Sequence, residues 1–295
     1  MSKRVYPTFD IRDLTAHRSV KDILTIDRFK EYLANNPHLH TTHRHSFYHL
    51  VFFTKGSGEQ LIDFTRFPVK PGYIYFMNPS QVHRWNFTGP VEGFIINFAA
   101  TFFDELHISS GLLAKFPFFT GDLDRQMFVL KKATQNSVTA LFEDMIQEQE
   151  RSNPGANLVI AAKMLELFVE AFRDMPVKEN GNPGNNFNPA LFQAFTNLVE
   201  QKFRDMRLPN EYASSLHITP ARLNTICKNI AGIPAGEIIR NRVVLEAKRL
   251  LVNLDLGIAE IASDLRFQDT SYFVRFFKRY TSQTPEAFRQ EHYKN

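Results

Sequence analysis

The chain has 295 residues, 43% hydrophobic content and a formal net charge of +4. These values exclude a disordered chain and predict two domains with ordinary cores. The single cysteine, Cys227, excludes an intrachain disulfide and a multi-cysteine zinc site, as is typical of a reducing compartment. No apolar run reaches the length of a membrane span, and "MSKRVYPTFDIRDL" lacks the apolar core of a signal peptide, so we expect a cytoplasmic protein without a membrane partner.

The charge is unevenly distributed along the chain. Residues 1–189 contain 20 Lys+Arg and 20 Asp+Glu, whereas residues 190–295 contain 15 and 11, so the whole positive excess lies in the C-terminal third. Phenylalanine and histidine are concentrated in the other part, with 21 of 29 Phe and eight of ten His before residue 190. This contrast predicts two domains with different partners.

The first distinctive stretch is "HRHSFYH", residues 43–49, which places three histidines within seven residues. His43 and His45 are two residues apart, which puts both side chains on one face of a β-strand, as converging metal ligands require. From about residue 45 to 103, apolar runs such as "YHLVFF", "YIYFM" and "GFIINFAATFF" alternate with turn signals such as "KGSGE" and "MNPSQ". This spacing predicts an antiparallel barrel or sandwich.

Two helical segments follow, "SVTALFEDMIQEQER" and "ANLVIAAKMLELFVEAFR", separated by "SNPG" (residues 152–155), and we predict an antiparallel helical hairpin. The second segment is apolar over a wide arc, which indicates either core of its own domain or, as we favour, a dimer interface. Next comes "PVKENGNPGNNFNP", residues 176–189, whose Asn, Gly and Pro content is typical of a linker.

The C-terminal third contains two short helix pairs joined by the long helix "PAGEIIRNRVVLEAKRLLVN". The pairs are "LPNEYASSLHI" with "TPARLNTICKNIAG", and "GIAEIASDLRF" with "QDTSYFVRFFKRY". Each has the layout of a helix-turn-helix. Thr219 and Asp269 are predicted N-caps of the second helix of each pair. The inward faces are predicted to hold Leu223, Ile226 and Cys227 in the first pair and Phe273, Phe276 and Phe277 in the second.

The outward face of each second helix combines small polar residues in its first turns with cations near its end. Such a helix suits the DNA major groove, because short side chains and arginine reach base edges while cations neutralise phosphates. A solvated charged face is the alternative interpretation of either pair alone, and the repetition favours DNA binding. The predicted DNA-binding residues are Ala221, Arg222, Asn224, Thr225, Lys228, Thr270, Ser271, Val274, Arg275, Lys278 and Arg279.

Residues 208–289 resemble the DNA-binding domain of the AraC family of bacterial transcription regulators. The resemblance rests on "ITPARLNTICKNIAGIP", "EAKRLL" and "IAEIASDLRFQDTSYFVRFFKRYTSQTPEAFR". It implies that Ala221, Asn224 and Thr225, and Thr270, Ser271, Val274 and Arg275, are the base-edge candidates. It also implies that the two helices enter major-groove segments about 10 bp apart. Arg266 and Ser282 stand where the family pattern has glycine, so we expect a left-handed backbone at both.

Residues 35–105 resemble the cupin-like sensor barrel found in many such regulators, through "HLHTTHRHSFYHLVFFTKGSGE" and "VKPGYIYFMNPSQVHRWNF". The ligand positions of metal-binding cupins fall on His43, His45, His49 (in the glutamate position) and His83. Three interpretations are open: a transition-metal site, structural roles, or an organic-effector pocket. We favour the pocket, since four neutral imidazoles leave the charge of a metal ion uncompensated, and we predict no cofactor. The predicted effector-binding residues are His45, Tyr75, His83 and Trp85.

The predicted fold class is an α+β multidomain protein: an N-terminal cupin-like β-barrel with a helical hairpin, and a C-terminal all-α domain with two helix-turn-helix motifs. The predicted domains are residues 1–175 and 190–295, joined by the linker 176–189.

The predicted function is a sequence-specific transcription regulator, an activator, that is controlled by a small molecule and is not an enzyme. Its expected partners are double-stranded DNA, the small molecule, a second copy of the chain and RNA polymerase. Two alternatives are a metal-dependent cupin enzyme with a DNA-binding appendage, and a structural DNA-binding protein with an inert barrel. The first alternative is less favoured because no carboxylate occupies the metal motif.

Overall fold

A computed structural model describes residues 7–14, 23–99, 101–108, 112–119, 123–176, 188–252 and 256–293. The chain divides into two compact units, an N-terminal unit over residues 6–177 and a C-terminal unit that contains residues 178–295. Apart from residues 176, 188 and 189, the predicted linker lies outside the described residues. Among the described residues, no helix is both long and apolar enough to cross a membrane.

The described residues of the N-terminal unit form ten strands in two five-stranded sheets. The strands are β1 (Thr8–Phe9), β2 (Leu24–Arg28), β3 (His43–His45), β4 (Tyr48–Lys55), β5 (Gly58–Ile62), β6 (Thr65–Val69), β7 (Tyr73–Met77), β8 (Val82–Phe87), β9 (Glu92–Phe98) and β10 (Met127–Val129). The first sheet has the order β1-β3-β8-β5-β6, and the second has the order β10-β7-β4-β9-β2. Pairing is antiparallel except between β1 and β3.

Strand β4 is buried on both faces, and its alternation separates two cores. Val51 and Phe53 belong to the interior core, together with Ile62 and Val69 of the first sheet. Leu50, on the opposite face, belongs to a second core shared with the helices that cover the outer side of the second sheet. The interior between the two sheets, called the compartment below, is therefore a buried core of aromatic and aliphatic side chains.

Five helices accompany the sheets: α1 (Phe29–Asn35), α2 (Phe102–Glu105), α3 (Leu123–Gln126), α4 (Lys132–Arg151) and α5 (Ala156–Asp174). Helices α4 and α5 form the predicted hairpin, although α4 begins five residues earlier than the apolar periodicity indicates, because its first turns are polar and exposed. Ile160, Met164 and Phe168 of α5 are buried in the core beneath the second sheet. Leu158 and Phe172, two further apolar residues of the same helix, are exposed.

The C-terminal unit is helical throughout its described residues. Its helices are α6 (Pro189–Lys202), α7 (Pro209–Ser215), α8 (Pro220–Ala231), α9 (Ala235–Leu251), α10 (Ile258–Asp264), α11 (Thr270–Thr281) and α12 (Pro285–Tyr293). Helix α9 is the central element, packed against both short pairs, α7 with α8 and α10 with α11. Its residues Val243, Ala247 and Leu251 are buried. The predicted fold class is confirmed: a sheet-rich N-terminal unit with a helical hairpin, and a helical C-terminal unit with two helix-turn-helix pairs.

Buried charges fix α9 to its neighbours. The Glu246 carboxylate accepts hydrogen bonds from Arg204 Nη2 at 3.1 Å and Arg242 Nη1 at 3.0 Å, and Arg249 Nη1 lies 3.7 Å away. Burial would raise the pKa of Glu246, but the three guanidinium groups outweigh it and the pKa is lowered. This network ties α6 to α9 in one arrangement.

Candidate functional site

The first helix-turn-helix pair, α7 with α8, has the capping predicted from its sequence. Thr219 Oγ1 accepts a hydrogen bond from the Arg222 N–H at 3.2 Å, and Pro220 occupies the first turn of α8. Leu223, Ile226 and Cys227 are buried, as predicted. Burial raises the pKa of the Cys227 thiol to about 12, so this cysteine is an inert core residue.

The second pair, α10 with α11, repeats this arrangement. Asp269 Oδ1 accepts a hydrogen bond from the Tyr272 N–H at 2.6 Å. Phe273 and Phe277 are buried, but Phe276 is only half-buried. Phe276, also assigned to the inward face, packs at the edge of the core between Phe267 and Tyr280, at centroid distances of 5.1 and 4.9 Å.

The turns of the two pairs share a left-handed residue at equivalent positions. His217 has φ 54° and Arg266 has φ 55°, and the same two backbone hydrogen bonds close each turn. The second helices also end alike, at Gly232 with φ 76° and Ser282 with φ 64°. The expected left-handed backbone at Arg266 and Ser282 is confirmed, and Arg266 keeps the geometry of its counterpart.

No predicted DNA-binding residue is buried. The exposed ones are Ala221, Arg222 and Lys228 on α8 and Ser271, Arg275, Lys278 and Arg279 on α11. The half-buried ones are Asn224, Thr225, Thr270 and Val274. Each helix thus presents one polar, cation-bearing face opposite its apolar face, as an element that enters a groove requires.

Two of the α8 candidates have hydrogen bonds within the chain. Asn224 Oδ1 accepts from the Ala235 N–H at 3.0 Å, across the turn at the start of α9. Thr225 Oγ1 donates to the Ala221 carbonyl at 3.0 Å. Asn224 therefore caps α9 with its oxygen, and its Nδ2 amino group can still donate to a further partner.

Two tyrosines on α11 were not selected from the sequence. The side chains of Tyr272 and Tyr280 are 48% and 39% exposed. The Arg279 guanidinium lies 5.6 Å from the Tyr280 ring centroid, and that of Arg240 lies 5.3 Å from it. The signal that could have identified Tyr272 is its position directly after Ser271, one turn before Arg275.

In the N-terminal unit, four histidines meet inside the compartment between the sheets. His43 and His45 lie on β3, His83 lies opposite His43 on β8, and His49 lies on β4 of the other sheet. Their ring centroids are 4.2 Å apart for His43 and His83, 4.8 Å for His45 and His83, and 5.1 Å for His45 and His49. All four side chains are buried.

Two of these rings are oriented by neighbouring oxygen atoms. His43 Nδ1 lies 2.6 Å from the Thr41 carbonyl, and His49 Nδ1 lies 2.6 Å from Asn97 Oδ1. A carbonyl oxygen only accepts, so each Nδ1 carries the proton and each Nε2 keeps a lone pair. Asn97 is itself held by a hydrogen bond from its Nδ2 to Thr25 Oγ1 at 3.0 Å.

All four histidines are held in the neutral form. Burial lowers the pKa of His43 to about 4 and that of His49 to about 3. Burial, reinforced by the neighbouring histidines, places the pKa values of His45 and His83 well below the usual range. Neutral imidazoles are the form that accepts hydrogen bonds and binds metal ions.

The predicted effector-binding residues are only partly brought together. His45, His83 and Trp85 share the compartment, with Trp85 at a centroid distance of 5.3 Å from His83. The ring contacts of Tyr75 are instead with Phe53 and Tyr73, and its hydroxyl donates to the Pro68 carbonyl. Tyr75 is therefore buried in the same interior core as Trp85 but has its ring contacts with other aromatic residues.

Trp85 also borders an open cleft of about 490 Å³ on the outside of the compartment. The cleft is lined by Lys30, Leu33, Trp85, Asn86, Phe87, Gly89, Pro90, Val91 and Glu92. Trp85 thus separates the histidine cluster from this cleft.

Comparison with known proteins assigns both units. Residues 31–168 match an AraC-like ligand binding domain, and residues 212–291 match a helix-turn-helix domain. The regulatory protein PocR of Salmonella typhimurium is 33% identical over 150 residues, which cover 46% of this chain and 49% of PocR. The HTH-type transcriptional activator RhaR of an Enterobacter species is 18% identical over 247 residues, which cover 84% of this chain and 86% of RhaR.

Among solved structures, ToxT from Vibrio cholerae is similar with a TM-score of 0.41 and 10% identity, covering 90% of this chain and 96% of ToxT. For PocR and three further curated relatives, the matched segment spans less than half of the relative's own length. The two matched domains together cover about three-quarters of this chain and define a ligand-binding domain combined with a helix-turn-helix domain. The chain belongs to the AraC family of transcription regulators.

Proposed function

We propose that this protein is a transcription regulator that reads double-stranded DNA with α8 and α11 and has no enzymatic activity of its own. The observation that carries the proposal is the duplicated helix-turn-helix frame, in which two capped helices expose cationic faces within one compact unit. A helix-turn-helix places its second helix in the major groove, so two such helices in one chain contact groove segments about one turn apart. A single subunit then reads an asymmetric site.

Arg275 is the proposed specificity residue, because it is exposed and arginine pairs bidentately with guanine. Arg222, Lys228, Lys278 and Arg279 are the proposed phosphate-binding residues, since cations neutralise the backbone without reading sequence. Ala221, Thr225, Thr270, Ser271 and Val274 are proposed to contact base edges directly. Asn224 is proposed to donate from its Nδ2 amino group while its Oδ1 remains bonded to the Ala235 N–H.

The N-terminal unit is the proposed sensor of a small molecule, supported by its match to a ligand-binding domain. Among the described residues, two buried polar atoms of the compartment have no hydrogen-bond partner: Gln60 Oε1 and Trp85 Nε1, on residues that pair across β5 and β8. Buried polar atoms are normally paired, so these atoms favour a polar ligand with both donor and acceptor groups. His45, His83 and Trp85 are its proposed contacts.

The protein is proposed to act as a homodimer through α5. This helix exposes Leu158, Val159, Val169 and Phe172, at 55%, 41%, 37% and 44%. Apolar residues clustered on an exposed helix face favour a partner surface, and a self-complementary helix pair would bury them. Analytical ultracentrifugation checks this: we expect a dimer that Phe172→Glu converts to monomer, whereas a monomeric native protein would contradict it.

Activation through contact with RNA polymerase is the proposed output, by analogy with RhaR, which is named a transcriptional activator. The proposed DNA binding is tested by selecting bound sequences from genomic fragments with the full-length protein. We expect one enriched motif with two contacted segments about 10 bp apart. Recovery of random fragments, with no enriched motif, would contradict the proposed function.

A metal-dependent enzyme is the second candidate, favoured by the convergence of His43, His45 and His83. Among the described residues, no carboxylate joins that group. An enzyme would lose a measurable turnover in His43→Gln while its DNA binding is unchanged, and that measurement separates the two candidates.

A further inference from the structure

The histidine cluster holds buried ring nitrogens that have no partner among the described residues. These are His45 Nδ1, His49 Nε2, and both nitrogens of His83. Leaving a buried polar atom unsatisfied costs about 1–3 kcal/mol each. Unpaired nitrogens on three rings that contact one another therefore indicate that something other than the described part of the chain satisfies them.

The ring nitrogens of three histidines converge, and the separation of one pair fits two ligands of a single ion. One ring nitrogen each from His43, His45 and His83 can be chosen so that all lie within 4.8 Å of one another. The closest pair, His43 Nε2 and His45 Nε2, is 3.1 Å apart. Two nitrogens that each lie about 2.0–2.1 Å from one ion are separated by about 2.9–3.4 Å, depending on coordination geometry.

The surroundings also orient the rings as metal ligands require. The Thr41 carbonyl fixes the proton of His43 on Nδ1, which leaves Nε2 available as a ligand. Asn97, held by Thr25, does the same for His49. Such carbonyl and amide partners are the usual outer contacts of metal-binding imidazoles.

We infer that His43, His45 and His83 bind one divalent transition-metal ion inside the N-terminal unit, with His49 beside it. Three imidazoles with a fourth, exchangeable ligand form a known zinc coordination set, and imidazole also suits cobalt, nickel, copper and iron. His49 Nε2 is placed to accept a hydrogen bond from the fourth ligand. The site goes beyond the proposed function, since metal binding neither requires nor implies DNA binding.

The ion would give the sensor a specific means of holding a polar effector. An oxygen or nitrogen atom of the effector would take the fourth position, beside the partnerless atoms of Gln60 and Trp85. A ligand with two neighbouring oxygen or nitrogen donors suits such a position better than an apolar one.

Metal binding is tested with tag-free, full-length protein that has been stripped with a chelator and titrated with Co²⁺. Equilibrium dialysis measures stoichiometry, and the visible absorption of bound Co²⁺ reports its coordination. Trp85 is the only tryptophan and lies 5.3 Å from His83 and 5.9 Å from His43, so bound Co²⁺ should also quench its fluorescence. We expect one ion per chain, micromolar affinity or tighter, and saturable quenching.

Two ligand variants, one variant of the neighbouring His49 and one control test which histidines bind the ion. His43→Gln and His83→Gln should each weaken Co²⁺ binding by about 100-fold, and His49→Gln by about 10-fold. The matched control is His107→Gln, an exposed histidine of the same unit, which should leave binding unchanged. Both residues are buried, so the pair of variants keeps the test available if one of them fails to fold.

The folded state of each variant is verified by circular dichroism and by the emission of Trp85. No stoichiometric Co²⁺ binding by the native protein would overturn the inference, and a hydrogen-bonded histidine cluster with water would then explain the site. Binding that survives in a folded His43→Gln variant would overturn it as well. The genomic selection is a separate experiment, so a failure of metal binding would not contradict the proposed DNA binding.

Discussion

The two helix-turn-helix pairs of the C-terminal unit have the same frame and different outer faces. Thr219 and Asp269 cap the second helices, His217 and Arg266 shape the turns, and Gly232 and Ser282 end the helices, each of the caps and ends offset by fifty residues. Inside, α8 packs mixed aliphatic residues, whereas α11 packs phenylalanines.

The outer faces of α8 and α11 differ in their number of exposed cations and in their hydrogen bonds within the chain. Helix α11 exposes Arg275, Lys278 and Arg279, whereas α8 exposes Arg222 and Lys228, and the Asn224 oxygen on α8 is already bonded within the chain. The shared frame indicates that the geometry of a helix-turn-helix pair depends on its caps and buried residues, while its outer residues can differ. We therefore expect α11 to supply the main specific contact and α8 to contribute more to positioning.

The largest expected effects come from the buried faces. Phe273→Ala should destabilise the C-terminal unit by about 3–5 kcal/mol and Leu223→Ala by about 2–5 kcal/mol, because each leaves a cavity. Hydrogen exchange of α8 and α11 amides measures the loss. If only one substitution had an effect, the two frames would not be equivalent; Lys228→Ala, on the exposed face, is the matched control.

The caps should have intermediate effects. Asp269→Ala should lower the stability of α11 by about 0.5–2 kcal/mol, toward the upper end because the carboxylate also interacts with the helix dipole. Thr219→Ala should lower the stability of α8 by about 1 kcal/mol. Asp269→Asn retains the acceptor and should lose less, as judged by urea unfolding. A larger loss of stability in Asp269→Asn than in Asp269→Ala would refute the capping interpretation.

The helix ends allow an exchange experiment. Ser282→Gly should stabilise the unit by at most about 1 kcal/mol, because glycine adopts φ 64° without strain. Gly232→Ser should destabilise it by a similar amount, since an added Cβ there meets no other atom within 4 Å and only the backbone is strained. Thermal unfolding of both variants should give shifts of opposite sign; equal signs would contradict this account of the ends.

The smallest effects on folding are expected from the exposed lysines. Lys278→Ala and Lys228→Ala should each leave stability nearly unchanged, weaken binding to all DNA sequences and reduce the salt slope by about 0.9. Fluorescence anisotropy at several salt concentrations measures the slope. A slope that stays unchanged in both variants would remove these residues from the proposed phosphate contacts.

The frame of the helix pairs could be predicted from sequence because its signals are local. A cap such as Thr219 precedes its own helix, and Leu223, Ile226 and Cys227 follow a simple helical spacing. The bond from the Ala235 N–H to Asn224 could not be predicted in this way, because it joins residues eleven positions apart across a turn. The half-buried position of Phe276 depends likewise on packing against Phe267.

The sensor unit was less predictable because its contacts are distant in sequence. Alternation places His43 and His45 on one face, but only strand pairing sets His83 opposite His43. Tyr75 has the alternation of an interior residue, and its hydroxyl bond to Pro68 follows from the fold alone. Strands β2 and β10 were missed, since β2 mixes apolar and charged residues and β10 has three residues.

DNA binding by the two helices is tested most directly by repeating the genomic selection with Arg275→Ala and with Arg222→Ala, which removes an exposed arginine of α8. We expect Arg275→Ala to lose discrimination at one position of the motif by about 1–3 kcal/mol while the other positions are kept. Arg222→Ala should weaken binding at every sequence without changing the motif. A motif and an affinity that are unchanged in Arg275→Ala would contradict the assignment of α11 as the reading helix.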